Sequence, residues 1–95
     1  MIPSQRSKVT VDGAVQLIRE HLSELLEMEP SEIEDDMPLS AYGVDSKSGM
    51  MLLGALEKWT GVDVDAEVVL ARPSSLELAT AVVAAFREKA SAADR

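Results

Sequence analysis

Cysteine is absent from the 95 residues, which excludes disulfides and thiolate metal sites. Aromatic residues are nearly absent as well. Tyr42, Trp59 and Phe86 are the whole set, so a core must be built from Leu, Val, Ile, Met and Ala. No apolar run approaches the roughly 18 residues that suggest a membrane-spanning helix. The opening MIPSQRSKVT has no signal-peptide apolar stretch, so a cytoplasmic location without a membrane partner is expected.

Positive charge is scarce too. Nine Lys and Arg stand against seventeen Asp and Glu, leaving a net charge of −8 and no basic patch to displace phosphate counterions. Nucleic acid is therefore not an expected partner. The single histidine, His21, falls in mid-helix with nothing to place it beside a nucleophile, so Ser-His-Asp hydrolysis is not expected. Asp63, Asp65 and Glu67 alternate like a calcium loop but lack its glycine and its distant bidentate glutamate. No glycine-rich phosphate loop is present. Intrinsic catalysis and a resident metal are both unexpected.

What is present is a small folded domain, 46% hydrophobic and 27% charged. A chain of this size buries only about 60–65% of its unfolded surface, which leaves room for one core. The acids are concentrated. Between Arg19 and Lys47 there is no Lys or Arg, while Glu20, Glu24, Glu27, Glu29, Glu32, Glu34, Asp35, Asp36 and Asp45 fall there. Such a run reads first as a solvated face.

Periodicity predicts helices. Val11, Ala14, Val15, Ile18, Leu22 and Leu25 recur at steps of three and four, with Thr10 as cap and Asp12 near the positive end. Pro30 stops this helix or opens the next turn. The connection MEPSEIEDDMPLSAYGV is long for a compact domain, and Ile33 and Leu39 are its expected anchors in the core. A second helix is predicted from about Asp45 to Thr60, ended by Gly61. Gly49, Leu52, Leu53, Leu56 and Trp59 form its inward stripe; Lys47, Met50, Met51, Gly54 and Lys58 form its other side.

DVDAEVVL has no partner strand and reads as a short helix over about 65–70. Ser74 with Glu77 three residues on forms a capping box for a last helix, with Leu76, Ala79, Val82, Val83 and Phe86 facing inward. The expectation is an all-α four-helix bundle, three principal helices plus one short one, with a long loop between the first and second. The bundle spans 10–89, between a flexible segment at 1–9 and a flexible tail at 90–95.

Asp45 and Ser46 stand where the second helix opens. Asp and Ser are both preferred caps, so either could serve only that purpose. The wider line IEDDMPLSAYGVDSKSGMMLLGALEKWTG, however, resembles the acyl carrier protein family. The resemblance rests on Ile33, Leu39, Gly43, Asp45 and Ser46, then Leu52, Leu53 and Leu56, and it covers roughly Val11 to Phe86. LEKWTG and ARPSSLELA are similar to stretches of polyketide-synthase carrier domains, and Gly43-Val44 is closer to the acyl type than to the Gly-Gly of peptidyl carriers.

The resemblance implies a non-catalytic carrier. Ser46 would receive 4′-phosphopantetheine from coenzyme A, and Asp45 would belong to the motif read by a phosphopantetheinyl transferase. Other implied partners are an acyl-loading enzyme, a ketosynthase and further synthase enzymes, met by a monomer. The arm would supply the thiol that the chain lacks. In this family the residue after the serine is commonly apolar; here it is Lys47. That cation either selects a partner bearing a carboxylate, beside adaptable contacts from Met50 and Met51, or merely lies over the surface. Room for a fatty chain inside the bundle stays open, since Gly49 could equally serve close packing.

Three other readings stand beside a polyketide-type acyl carrier. One is a peptidyl carrier. The second is a primary fatty-acid synthase carrier, which the lysines of the second helix disfavour. The third is an unmodified helical interaction domain whose acidic loop binds a basic protein.

Overall fold

A computed structural model describes residues 9–93. Four helices follow one another: α1 (Val11–Leu26), α2 (Ser46–Thr60), α3 (Glu67–Leu70) and α4 (Ser75–Ala93). No strand occurs among the described residues, only an isolated bridge between Pro38 and Ser74. The architecture is the all-α bundle that the pattern predicts. None of these helices is long and apolar enough to cross a membrane.

Thr10 opens α1 from an extended conformation, its hydroxyl accepting the Gly13 N–H at 3.0 Å. Ala14, Val15, Ile18 and Leu22 are buried against the core, and α1 packs most extensively on α4. Two expectations need correction here. Leu25 is 42% exposed; the four-residue step from Leu22 brings Leu26 to the core instead, half-buried. Val9, assigned to the flexible N-terminal segment, is buried. The rest of that segment lies outside the described residues.

The long connection is tied down by specific bonds. It contains two 3-10 turns, Pro30–Glu32 and Leu39–Tyr42, and it buries Ile33 and Leu39 as expected. The Leu39 N–H donates to the Pro73 carbonyl at 2.9 Å, and the Leu76 N–H donates to the Asp35 carbonyl at 3.0 Å. The Glu34 N–H donates to the Tyr42 hydroxyl oxygen at 2.8 Å. Arg19 of α1 forms an ion pair with Asp35, which takes that one acid out of the otherwise solvated run. Backbone polar groups that no helix satisfies thus find partners at the start of α4.

Gly61, with φ 79, ends α2 as predicted, its N–H donating to the Glu57 carbonyl at 2.7 Å. Inward along α2, Gly49, Leu52, Leu53 and Leu56 are buried and Trp59 is half-buried. The short helix begins at Glu67, slightly later than expected, because Asp65 turns back to accept the Glu67 N–H at 2.9 Å. Glu57 fixes its approach by accepting the Val64 N–H at 2.7 Å.

The capping box of α4 is complete. Ser74 N–H donates to the Glu77 carboxylate at 2.9 Å, and Glu77 N–H donates to the Ser74 hydroxyl at 3.1 Å. With the register fixed this way, Leu78, Ala79, Val82 and Val83 are buried and Phe86 is half-buried. Leu76, expected on that stripe, is 45% exposed instead. At about 100° per residue it lies about 200° round the helix from Leu78. The helix also continues to Ala93, so residues 90–93 of the expected tail are helical. The last two residues lie outside the described ones.

Candidate functional site at the mouth of α2

The loop before α2 is shaped by Gly43. Its φ of 85 closes the second 3-10 turn, and its N–H donates to the Ser40 carbonyl at 3.1 Å. A Cβ added there would meet nothing within 4 Å, so the need is for left-handed backbone rather than for space. Val44 then plugs into the core, and the chain enters the helix at Asp45.

Asp45 and Ser46 have separate duties. Asp45 is the N-cap, its carboxylate accepting the Ser48 N–H at 2.8 Å. That hydrogen bond holds its carboxyl below the usual carboxylate range, helped by the Ser48 hydroxyl and, less, by the charge of Lys47. Ser46 is the first helical residue. It is exposed, and its hydroxyl makes no hydrogen bond among the described residues. The helix therefore keeps its cap whatever happens at the Ser46 oxygen. The N–H groups of the first helical turn lack an intrahelical acceptor, and the helix dipole favours negative charge there.

Ser46 also stands at the edge of a cleft of ≈ 490 Å³. Leu39 and Val44 come from the loop, Gly49 from α2, Val69 and Leu70 from α3, and Leu78 from α4. Polar groups gather at the same opening, where Asp45, Ser46, Ser40 and Arg72 take part in the lining. A site with an exposed hydroxyl, a helix N-terminus behind it and a mixed polar and apolar cleft beside it fits an alcohol-linked phosphodiester bearing a long arm. Gly49 serves packing as well: a Cβ there would come within 2.5 Å of Val69 Cγ1.

The residues of the predicted partner face lie at the surface. Lys47, Met50, Met51, Gly54 and Lys58 are all exposed on α2, away from its buried leucines. His21 is half-buried on α1 and does not line the cleft. Among the described residues no group of three His, Cys, Asp or Glu side chains is placed to hold a metal. Sequence reasoning passed over Val69, Leu70 and Arg72. The signals available were the Val-Val-Leu run and an arginine directly before Pro73.

Comparison with known proteins bears on the same residues. The family model described as phosphopantetheine attachment site matches residues 16–82. The chain is 27% identical over 70 residues, 74% of its length, to the non-reducing polyketide synthase PKS1 of Zymoseptoria tritici, of which that match spans 3%. It is 30% identical over 56 residues to the acyl carrier protein TtuC of Teredinibacter turnerae, covering 59% of this chain and 64% of that protein. The match thus spans less than two thirds of either relative. A solved structure, the HMG-ACPI domain from the CurA module of Lyngbya majuscula, superposes with a TM-score of 0.71 at 23% identity. It covers 86% of this chain and 83% of that domain, and at that identity it speaks for the fold.

Proposed function

Since this chain belongs to the phosphopantetheine attachment site family, we propose that it is a polyketide-type acyl carrier protein, with Ser46 as the attachment point of its arm. The observation that carries the assignment to Ser46 is the division of labour at the mouth of α2. Asp45 does the capping, which leaves the neighbouring hydroxyl exposed, unengaged and beside the cleft. A serine needed as the cap could not be esterified without weakening the helix.

In loading, the Ser46 oxygen forms a bond to the phosphopantetheinyl phosphorus, and the bond from that phosphorus to the rest of coenzyme A breaks. The adjacent Asp45 carboxylate is engaged as the helix cap, so a separate phosphopantetheinyl transferase supplies the base, reading Asp45 and the turn before it. Once bound, the 4′-phosphopantetheine provides a terminal thiol that holds acyl or polyketide intermediates as thioesters. The chain's own part is to orient that arm and to keep it at high effective concentration near successive enzymes, on the order of millimolar for a short link. It performs none of the acyl chemistry itself.

The partner-binding residues in this reading are Lys47, Met50, Met51, Gly54 and Lys58. Glu57 is the sole acid of α2, and it is turned toward Val64. The outward face therefore presents lysines at either end of a methionine pair, on a chain that is otherwise strongly acidic. An acyl-loading enzyme, ketosynthase or related synthase enzyme with carboxylates around a shallow apolar patch would complement it. Polyketide rather than peptidyl cargo is favoured by the relatives, one of them a polyketide synthase and the other an acyl carrier protein.

The test is intact mass after incubation with coenzyme A and a broad-specificity transferase, with Ser46→Ala alongside. Gain of one phosphopantetheine on the wild type and none on the variant is expected. No gain on a folded sample, while a known carrier is modified in parallel, would return Asp45-Ser46 to a plain helix start.

A further inference from the structure

Two non-glycine residues among those described have left-handed backbone, Glu27 with φ 54 and Arg72 with φ 56. Glu27 is accounted for: it is the C-cap of α1, and its N–H donates to the Ser23 carbonyl. Arg72 is a stranger choice. It ends the turn after α3, its N–H donating to the Val69 carbonyl at 3.2 Å, a place that glycine fills without steric penalty. It also directly precedes Pro73, and a residue before proline normally prefers extended backbone. Strain of this kind clusters at ligand clamps and other functional sites.

Arg72 lines the cleft that Ser46 borders, and among the described residues it is the one cationic residue to do so. It is exposed there, and the ion pair among the described residues is Arg19 with Asp35, so no carboxylate in that set engages Arg72. Asp45, the acid in the same lining, is already held by Ser48. Arg72 therefore shares the cleft with Ser40, Asp45 and Ser46 while no carboxylate among the described residues pairs with it, which leaves its guanidinium donors available to an added anion.

We propose that Arg72 pairs with the phosphodiester of the arm attached at Ser46, supplying donors from the α3–α4 side of the cleft. This inference rests on the proposed function. A phosphodiester presents two oxygens that suit the planar fork of arginine. Such a contact is electrostatic and lies at an exposed site, so it is sensitive to salt. Arg72 is thus a positioning residue: it biases the arm to lie along the cleft, and a partner that takes the phosphate for itself releases it.

The experiment uses protein loaded at Ser46, verified by intact mass, as wild type, Arg72→Gln, Arg72→Gly and Lys47→Gln. The readouts are the ³¹P resonance of the phosphodiester and the Arg72 Nε–H resonance before and after loading. Both Arg72 variants should move the ³¹P resonance the same way, while Lys47→Gln leaves it near wild type. The wild-type Nε–H should shift on loading. Both differences should collapse as salt rises from about 0.01 M to about 1 M, where the Debye length falls from about 30 Å to about 3 Å. Arg72→Gly relieves the left-handed backbone, so its Tm should equal or exceed that of wild type and loss of fold cannot imitate the effect. Identical ³¹P resonances in wild type and both Arg72 variants, or an unmoved Nε–H, would overturn the pairing while leaving the carrier assignment intact. No mass gain at Ser46 would overturn both.

Discussion

The two sides of α2 use the same residue types for opposite ends. Gly49 faces inward, where any Cβ would run into Val69; Gly54, five residues on, faces outward, where a Cβ would meet nothing within 4 Å. Leu52, Leu53 and Leu56 are sealed in the core, while Met50 and Met51 remain 42% and 57% exposed. One side of the helix is thus fixed by its neighbours. The other is exposed among the described residues, so its apolar and basic content is open to another protein. Ser46 sits at the end of the helix that both sides share.

Truncation should separate the sides most sharply. Leu56→Ala removes a side chain with no exposed surface and should lower stability by about 2–5 kcal/mol, read from urea or thermal unfolding. Met51→Ala on the outward side should stay within about 0.5 kcal/mol of wild type. Equal losses in the two variants would mean that the methionine is part of the core after all.

The glycines give a smaller and opposite pair of effects. Gly49→Ala adds a methyl within 2.5 Å of Val69 Cγ1, on a stiff β-branched side chain. Overpacking of this kind costs about 1–3 kcal/mol, against a gain in helix propensity of about 1 kcal/mol, so a net loss and displaced Val69 methyl resonances are expected. Gly54→Ala meets no obstacle and should stabilise by about 0.8–1 kcal/mol. Loss of stability in Gly54→Ala would break the comparison, because it would show that the outward side is packed.

Much of this was legible before any coordinates. The inward stripe of α2, the anchors Ile33 and Leu39 and the capping box at Ser74 follow from spacing and end signals that local chemistry enforces, whereas the choice of Ser46 over Asp45 as the site rested on the family resemblance. The failures are equally physical. Leu25 and Leu76 satisfy a hydrophobic pattern, yet the core lies a fraction of a turn away, on Leu26 and Leu78, because steps of three and of four both fit an apolar stripe and only packing chooses between them. Val9 shows that one apolar residue ahead of a cap can still reach the core. The cleft was not legible at all. It is built from four segments, and Arg72 enters it only through a backbone conformation that neither arginine nor a following proline favours.

The gentlest change falls on the residue that departs from the family's habit. Lys47 is exposed at the first turn of α2, where a cation meets the positive end of the helix dipole, and it also adds slightly to the field that keeps Asp45 ionised. These two effects oppose each other, so Lys47→Leu should move stability by no more than about 0.5 kcal/mol. Its consequence belongs to recognition. A partner with acidic residues around its docking patch should bind the variant more weakly, chiefly through slower association, and the difference should shrink as salt is raised. The check is association kinetics of loaded wild type and loaded Lys47→Leu with the cognate synthase enzyme at low and high salt. Unchanged rates at low salt would reduce Lys47 to a side chain lying along the helix, and recognition by the outward side of α2 would then fall to the methionines and Lys58.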